Sequence, residues 1–260
     1  MTDDDITRGY KDITYSTDKV ITEVCVPFKA TYGYVVARCS YTEPKEDSTT
    51  IPEEYQQVEH IATDGNQYID TGVMASDHAN GIIYGMRGNL AGYTNAAGNN
   101  YFFGCLANGV RSGNVGVNTG QDRFRIYLGT SSAAAGEIPA SGNIDAGKDF
   151  NIYLKCSSES SNVEFSLNDT TVPVPTASVT TGAMPAANIL LFTANGVAAT
   201  NGKYWGKLYS FTMDAADGTP IRNFVPCYRK SDNVIGLYDM VEGKFYTNAG
   251  TGAFTKGADV

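Results

Sequence analysis

Residue types that carry catalysis are scarce in this chain. Only two histidines, His60 and His78, occur in 260 residues. A Ser-His-Asp or Cys-His site must therefore use one of them. His78 lies in the polar turn ASDHANG. The chain has no GxSxG nucleophile turn, no GKS/T phosphate cradle and no HExxH pair. Glycoside hydrolysis needs two carboxylates flanking the scissile bond. On one strand they would stand at alternating positions, and no such acidic run exists. Glu53-Glu54, Asp145 with Asp149, and Asp239 with Glu242 fall in turns or at element ends and read as solvated surface. The expectation is a protein that is not an enzyme.

Cysteine is equally uninformative as a framework. Cys25, Cys39, Cys105, Cys156 and Cys227 are odd in number and irregularly spaced, with no CxxC pair and no histidine nearby. That excludes a zinc pattern and favours buried reduced thiols, although Cys25 and Cys39 could pair across a hairpin. Basic clusters are missing too. The 19 Lys and Arg are outnumbered by 28 Asp and Glu, for a formal net charge of −9. Phosphate binding needs a basic stripe, so nucleic acid is not an expected partner. No apolar run is long enough to cross a bilayer, so no membrane insertion is expected. The N-terminal MTDDDITRGYKDITY lacks the basic and apolar regions of a secretory signal. The chain is expected to be made in a host cytoplasm and to stay there or leave inside an assembly.

What the chain has is turn residues and β-formers. It carries 28 Gly, 17 Tyr and 42% hydrophobic residues, enough for many short strands around a substantial core. Residues 1–45 read as two or three strands, with a hairpin near Thr31 to Tyr34. Alone they are marginal and need a partner surface. Residues 46–50, within the polar TEPKEDSTT, are the linker. From Ile51 onward about a dozen strands follow, and only residues 52–60 offer a helical stretch longer than a turn. Residues 130–142, rich in Ser, Ala and Gly, read as a long loop. Residues 150–156 and 162–167 read as a hairpin, and the apolar 188–193 as a central strand. Asp217-Gly218 reads as a tight turn joining 204–213 to 221–226.

Three landmarks carry a resemblance. They are IPEEYQQVEHIATDGNQYIDTGV at 51–73, YWGKLYSFTM at 204–213, and NFVPCYRKSDNVIGLYDMVEGKFYTNAGTGAFTKG at 223–257. In order and spacing they resemble the concanavalin A-like, laminin-G-like jelly-roll modules of gut-bacterial surface proteins and of bacteriophage structural proteins. The resemblance implies an all-β, two-sheet antiparallel jelly-roll sandwich over residues 51–260, preceded by a small β-rich N-terminal segment. It places the strand at 236–239 beside the opening strand at 68–72. It also implies a non-enzymatic virion protein of the head-fibre, decoration or tail-associated kind, held to other virion proteins through residues 1–45. A homotrimer is among the assemblies this allows, though no heptads mark one. The alternatives are a bacterial cell-surface lectin or adhesin, and a glycan-cleaving enzyme.

Glycan binding needs an aromatic face for sugar C–H groups and amides or carboxylates for hydroxyls. The segment GNLAGYTNAAGNNY offers Tyr93, Asn95, Asn99, Asn100 and Tyr101 as a candidate glycan site, although the same residues suit an ordinary turn. Trp205 shares strand parity with Tyr209, Phe211 and Met213, which reads as a core face. Asp77 with Asn80, Asp64 with Asn66, and Asp122 supply loop oxygens. Their spacing is not that of a calcium loop, so no metal and no cofactor is expected.

Overall fold

Strict alternation of buried and exposed residues marks the second half of the chain. At 149–156 every second side chain (Phe150, Ile152, Leu154 and Cys156) is buried. A period of two places these on one face of a strand. The computed structural model describes residues 29–30, 33–34, 50–91, 99–107, 110–118, 123–127, 136–139, 147–156, 163–171, 184–194 and 204–260.

The chain divides into two units, Met1–Thr49 and Thr50–Val260. In the first, β1 (Lys29–Ala30) pairs antiparallel with β2 (Gly33–Tyr34). The other strands expected before residue 45, and nearly all of the expected linker, lie outside the described residues.

The second unit begins with β3 (Tyr55–Gln57), β4 (Ile61–Thr63), β5 (Ile69–Met74), β6 (Ile82–Leu90), β7 (Asn99–Ala107), β8 (Val110–Asn118) and β9 (Arg123–Tyr127). It continues with β10 (Gly136–Pro139), β11 (Asp149–Cys156), β12 (Glu164–Leu167), β13 (Thr170–Thr171), β14 (Asn188–Leu191) and β15 (Gly206–Ala215). It ends with β16 (Pro220–Arg229), β17 (Val234–Asp239), β18 (Lys244–Thr247) and β19 (Thr255–Lys256). The smaller sheet has the order β10-β9-β8-β7-β14-β5. The larger runs β13-β12-β11-β6-β15-β16-β17-β18, with β3 on β16, β4 on β15 and β19 on β4. The pairings are antiparallel, and the two sheets form the expected jelly-roll sandwich. Asp217-Gly218 turns β15 into β16, with Thr219 N–H donating to the Asp217 carboxylate at 2.9 Å and Gly218 at φ +87°.

Aromatic rings join the sheets. Phe103 of the smaller sheet lies 4.8 Å from Tyr84 and 5.2 Å from Phe211 of the larger. Phe102 lies 5.1 Å from both Phe150 and Tyr204. Both Phe102 and Phe103 can point inward because the register of β7 shifts on either side of Phe103. Phe192, just beyond β14, holds a φ of +70°, which is rare for a bulky residue. Its N–H donates to the Phe102 carbonyl at 2.7 Å, and its ring sits between Tyr204 and Phe254. Packing over-determines that conformation.

Three expectations are corrected. Residues 52–60 contain a turn and β3, because Tyr55–Gln57 pairs with Arg229–Cys227 of β16. The segment 130–142 contains β10, paired with β9 from Gly136↔Ile126 to Pro139↔Arg123. A four-residue edge strand ending in proline gives almost no alternation to detect, and an edge tolerates the missing N–H. Residues 236–239 do not lie beside the opening strand. β17 is paired on both sides, by β16 and β18, whereas β5 pairs with β14 in the other sheet.

A buried charge ties these two regions together instead. Asp239, fully buried, accepts from the N–H groups of Asn223 at 2.8 Å, Val241 at 3.0 Å and Glu242 at 3.2 Å. Arg222 Nε lies 3.5 Å from its other oxygen and also donates to the Thr71 carbonyl of β5 at 3.1 Å. Glu242 accepts from Tyr246 Oη and pairs with Arg222 at 3.5 Å. Asp239 and Arg222 are buried together in this knot, so removing one strands the other. Asp239→Ala is expected to destabilise the fold by about 3–5 kcal/mol in denaturant unfolding. A loss of well under about 1 kcal/mol would contradict the account.

Candidate binding face

The outer face of the larger sheet assembles side chains from β6, β11 and β15. On β15, Leu208, Phe211 and Met213 are buried, while Lys207 and Tyr209 are half-buried and Ser210 is exposed. Leu208 and Phe211 are three residues apart, yet both face the core. The register of β15 against β6 shifts between Leu208 (opposite Gly88) and Ser210 (opposite Arg87). Such a bulge reverses parity along the strand. Trp205, Lys207 and Tyr209 therefore share the outer face. Trp205 is 41% exposed, which corrects its expected place in the core.

Around Tyr209 the polar groups converge. Asp149 Oδ1 accepts from Asn89 Nδ2 and from Tyr209 Oη, each at 2.9 Å. Its Oδ2 accepts from Arg87 at 3.2 Å, and the Arg87 guanidinium lies 4.9 Å from the Tyr209 ring centroid. The hydrogen bond from Asn89 is the main cause holding the Asp149 carboxyl below its ordinary range, with Tyr209 and Arg87 adding to it. Burial, followed by the adjoining Asp149 charge, raises the Tyr209 phenol. The result is an ionised carboxylate held by three donors on the face that also carries Trp205.

His60 packs against the same ring, with centroids 5.5 Å apart in an edge contact. Its Nδ1 is buried with no hydrogen-bond partner among the described residues, and a Cβ on Gly257 would come within 2.6 Å of it. Gly257 is thus the residue that lets β19 close over the ring. Burial lowers the His60 pKa, Lys207 lowers it further, and Glu59 and Asp149 oppose this more weakly.

Of the residues expected to form a glycan site, only Asn100 and Tyr101 have described side chains. Tyr93 and Asn95 lie outside the described residues, as does the side chain of Asn99 in β7. Asn100 is half-buried. Tyr101 is 6% exposed and packs with Ala194, so its ring offers little face to a ligand. Asp122 also lies outside the described residues. Asp64 accepts from the backbone and side chain of Asn66, a local turn. Among the described residues no three His, Cys, Asp or Glu side chains gather as for a metal ion. Cys105, Cys156 and Cys227 are free and buried, and burial pushes the Cys156 and Cys227 thiols up to about 12.

No family model matches this chain, and no curated protein does. Several solved structures share part of its course. A heptameric SAP-like pentraxin from Limulus polyphemus is 9% identical, over 61% of this chain and 74% of its own, with a TM-score of 0.42. A "putative carbohydrate binding protein" from Bacteroides ovatus is 10% identical, over 78% of this chain and 62% of its own, with a TM-score of 0.48. A sialidase mutant from Trypanosoma rangeli is 7% identical, over 61% of this chain and 27% of its own, with a TM-score of 0.42. Similarity at this level assigns no function to this chain.

The His60 geometry predicts a pH dependence of stability. In the unfolded chain His60 titrates near its ordinary value of 6.5, and in the fold it titrates lower. Between those values the unfolded state binds more protons, so stability falls as pH drops through 6.5 and levels off below the folded value. The lowered carboxyl of Asp149 acts only near and below 3.8, below the 6.5 at which the His60 decline begins. Unfolding midpoints across this range should decline in the native protein and flatten in His60→Phe. The same decline in both proteins would remove His60 as its source.

Proposed function

We propose that the second unit is a carbohydrate-binding jelly-roll module and that the outer face around Trp205 is its binding surface. The observation that carries this is the exposed Trp205 indole on the same sheet face as the exposed Arg87–Asp149 ion pair. An aromatic plate supplies contact for sugar C–H groups, and the exposed Arg87 guanidinium, held in place by Asp149, supplies hydrogen bonds for hydroxyls. The role is non-catalytic in this reading. Asp149 spends its acceptor sites on three protein donors, an arrangement suited to orienting a ring rather than to transferring a proton.

The finer setting is a bacteriophage virion component of the head-fibre, decoration or tail-associated kind, attached through residues 1–45. It rests on the resemblance of residues 51–73, 204–213 and 223–257 to modules of phage structural proteins. In that setting the full chain should be a trimer or larger by light scattering, and a chain beginning at Ile51 a monomer. Equal monomeric masses would favour a free-standing bacterial surface lectin.

Binding itself is tested by affinity electrophoresis against soluble polysaccharides. The native protein should be retarded, and Trp205→Ala should weaken retardation about tenfold or more with an unchanged melting temperature. Undiminished retardation in the variant would move the site elsewhere.

A further inference from the structure

The register of the larger sheet extends this face well beyond the Trp205 cluster. β12, β11, β6 and β15 lie side by side, and their outward residues form rows across the sheet. One row runs Ser166, Tyr153, Gly85, Thr212. The next holds Asn151, Arg87 and Ser210, and a third holds Asp149, Asn89 and Lys207. Trp205 follows, its carbonyl accepting from Ala91 N–H at 3.2 Å.

Two of the four large exposed hydrophobic side chains among the described residues stand at opposite ends of these rows. They are Tyr153, 37% exposed, and Trp205, 41% exposed. Six residue steps separate their rows along β6, from Gly85 to Ala91. At about 3.4 Å per residue that is roughly 20 Å, and two strand spacings of about 4.8 Å take the separation slightly further. Gly85 gives the floor beside Tyr153 no side chain, and a Cβ there would lie 2.6 Å from Thr212 Oγ1. Between the two rings lie hydroxyls, amides and ionic side chains, with the half-buried Tyr209 ring among them.

The charges balance once the row beyond Tyr153, which holds Glu164, Lys155 and Asp214, is counted with this strip. Lys155 pairs with Glu164 at 3.3 Å and Arg87 with Asp149 at 3.2 Å, leaving Lys207 and Asp214 as one charge of each sign. Three cations face three anions, in a chain whose formal net charge is −9. Most of the acidic excess is elsewhere, so charges of both signs are interspersed here and no single-sign patch selects an anionic or cationic ligand.

We infer that this face takes an extended, uncharged polysaccharide, laid across the rows from Tyr153 to Trp205 and stacked on both rings. It rests on the carbohydrate-binding reading proposed above and adds two properties to it. The ligand is a chain of several sugars rather than one terminal residue, and it is neutral. Each aromatic ring holds one end, and the amides and ion-paired groups between them meet ring hydroxyls.

The test uses the full chain and begins with affinity electrophoresis in soluble β-glucan, xylan, mannan and starch, with alginate and chondroitin sulfate as acidic counterparts. Mono- to hexasaccharides of the polysaccharide that retards the protein are then titrated by calorimetry. Affinity should climb with chain length and change little with salt. Tyr153→Ala and Trp205→Ala should each weaken the hexasaccharide about tenfold, with melting temperatures checked against the native protein. A monosaccharide bound as tightly as the hexasaccharide would overturn the extended site while leaving carbohydrate binding in place. Preference for alginate or chondroitin sulfate would overturn neutrality alone. Retardation by none of the six polymers would overturn both this inference and the reading beneath it.

Discussion

The bulge in β15 is the constraint on which the candidate face depends. β15 is the most connected strand of the larger sheet, paired with β6 on one side and with β16 and β4 on the other. Its neighbours cannot slide without breaking those ladders. One additional residue between Leu208 and Ser210 lets Leu208, Phe211 and Met213 all enter the core. That residue is Tyr209, which faces outward, where Asp149 and Arg87 hold it. Core packing and the surface cluster are two consequences of one backbone irregularity.

The closure of the sandwich is separate from that cluster. Asp239, Arg222 and Glu242 join β16 and β17 to β5 of the opposite sheet, using groups that the outer face does not need. Aromatic contacts such as Phe103 against Tyr84 and Phe211 fill the space between the sheets. This division leaves the outer-face positions around Trp205 and Tyr153 free to vary without cost to the core. Within the stretch 223–257, Asp239 and Glu242 are committed to holding the fold.

Much of the architecture was legible in the sequence. Alternation at 149–156 and the Asp217-Gly218 turn placed strands and a hairpin where they occur, and the apolar 188–193 marked a strand flanked on both sides. β10 was not legible, because four residues ending in proline carry too little pattern. The pairing of β5 was not legible either, since sequence order says nothing of which sheet a strand joins. At the candidate face, parity placed Trp205 in the core because a bulge cannot be read from alternation alone. Lys207, standing between Trp205 and Tyr209, was the one signal against that placement, since a lysine rarely faces a core. Arg87, Asn89 and Asp149 converge from strands far apart in sequence, so no motif could announce them.

Trp205 is the only tryptophan in the chain, so its fluorescence reports on the proposed platform without interference. The most direct measurement is iodide quenching of that emission with and without a soluble neutral polysaccharide that retards the protein. The account predicts emission open to iodide in the free protein and shielded when the chain is bound. Saturating polysaccharide that leaves quenching unchanged would show that Trp205 is not where the ligand lies.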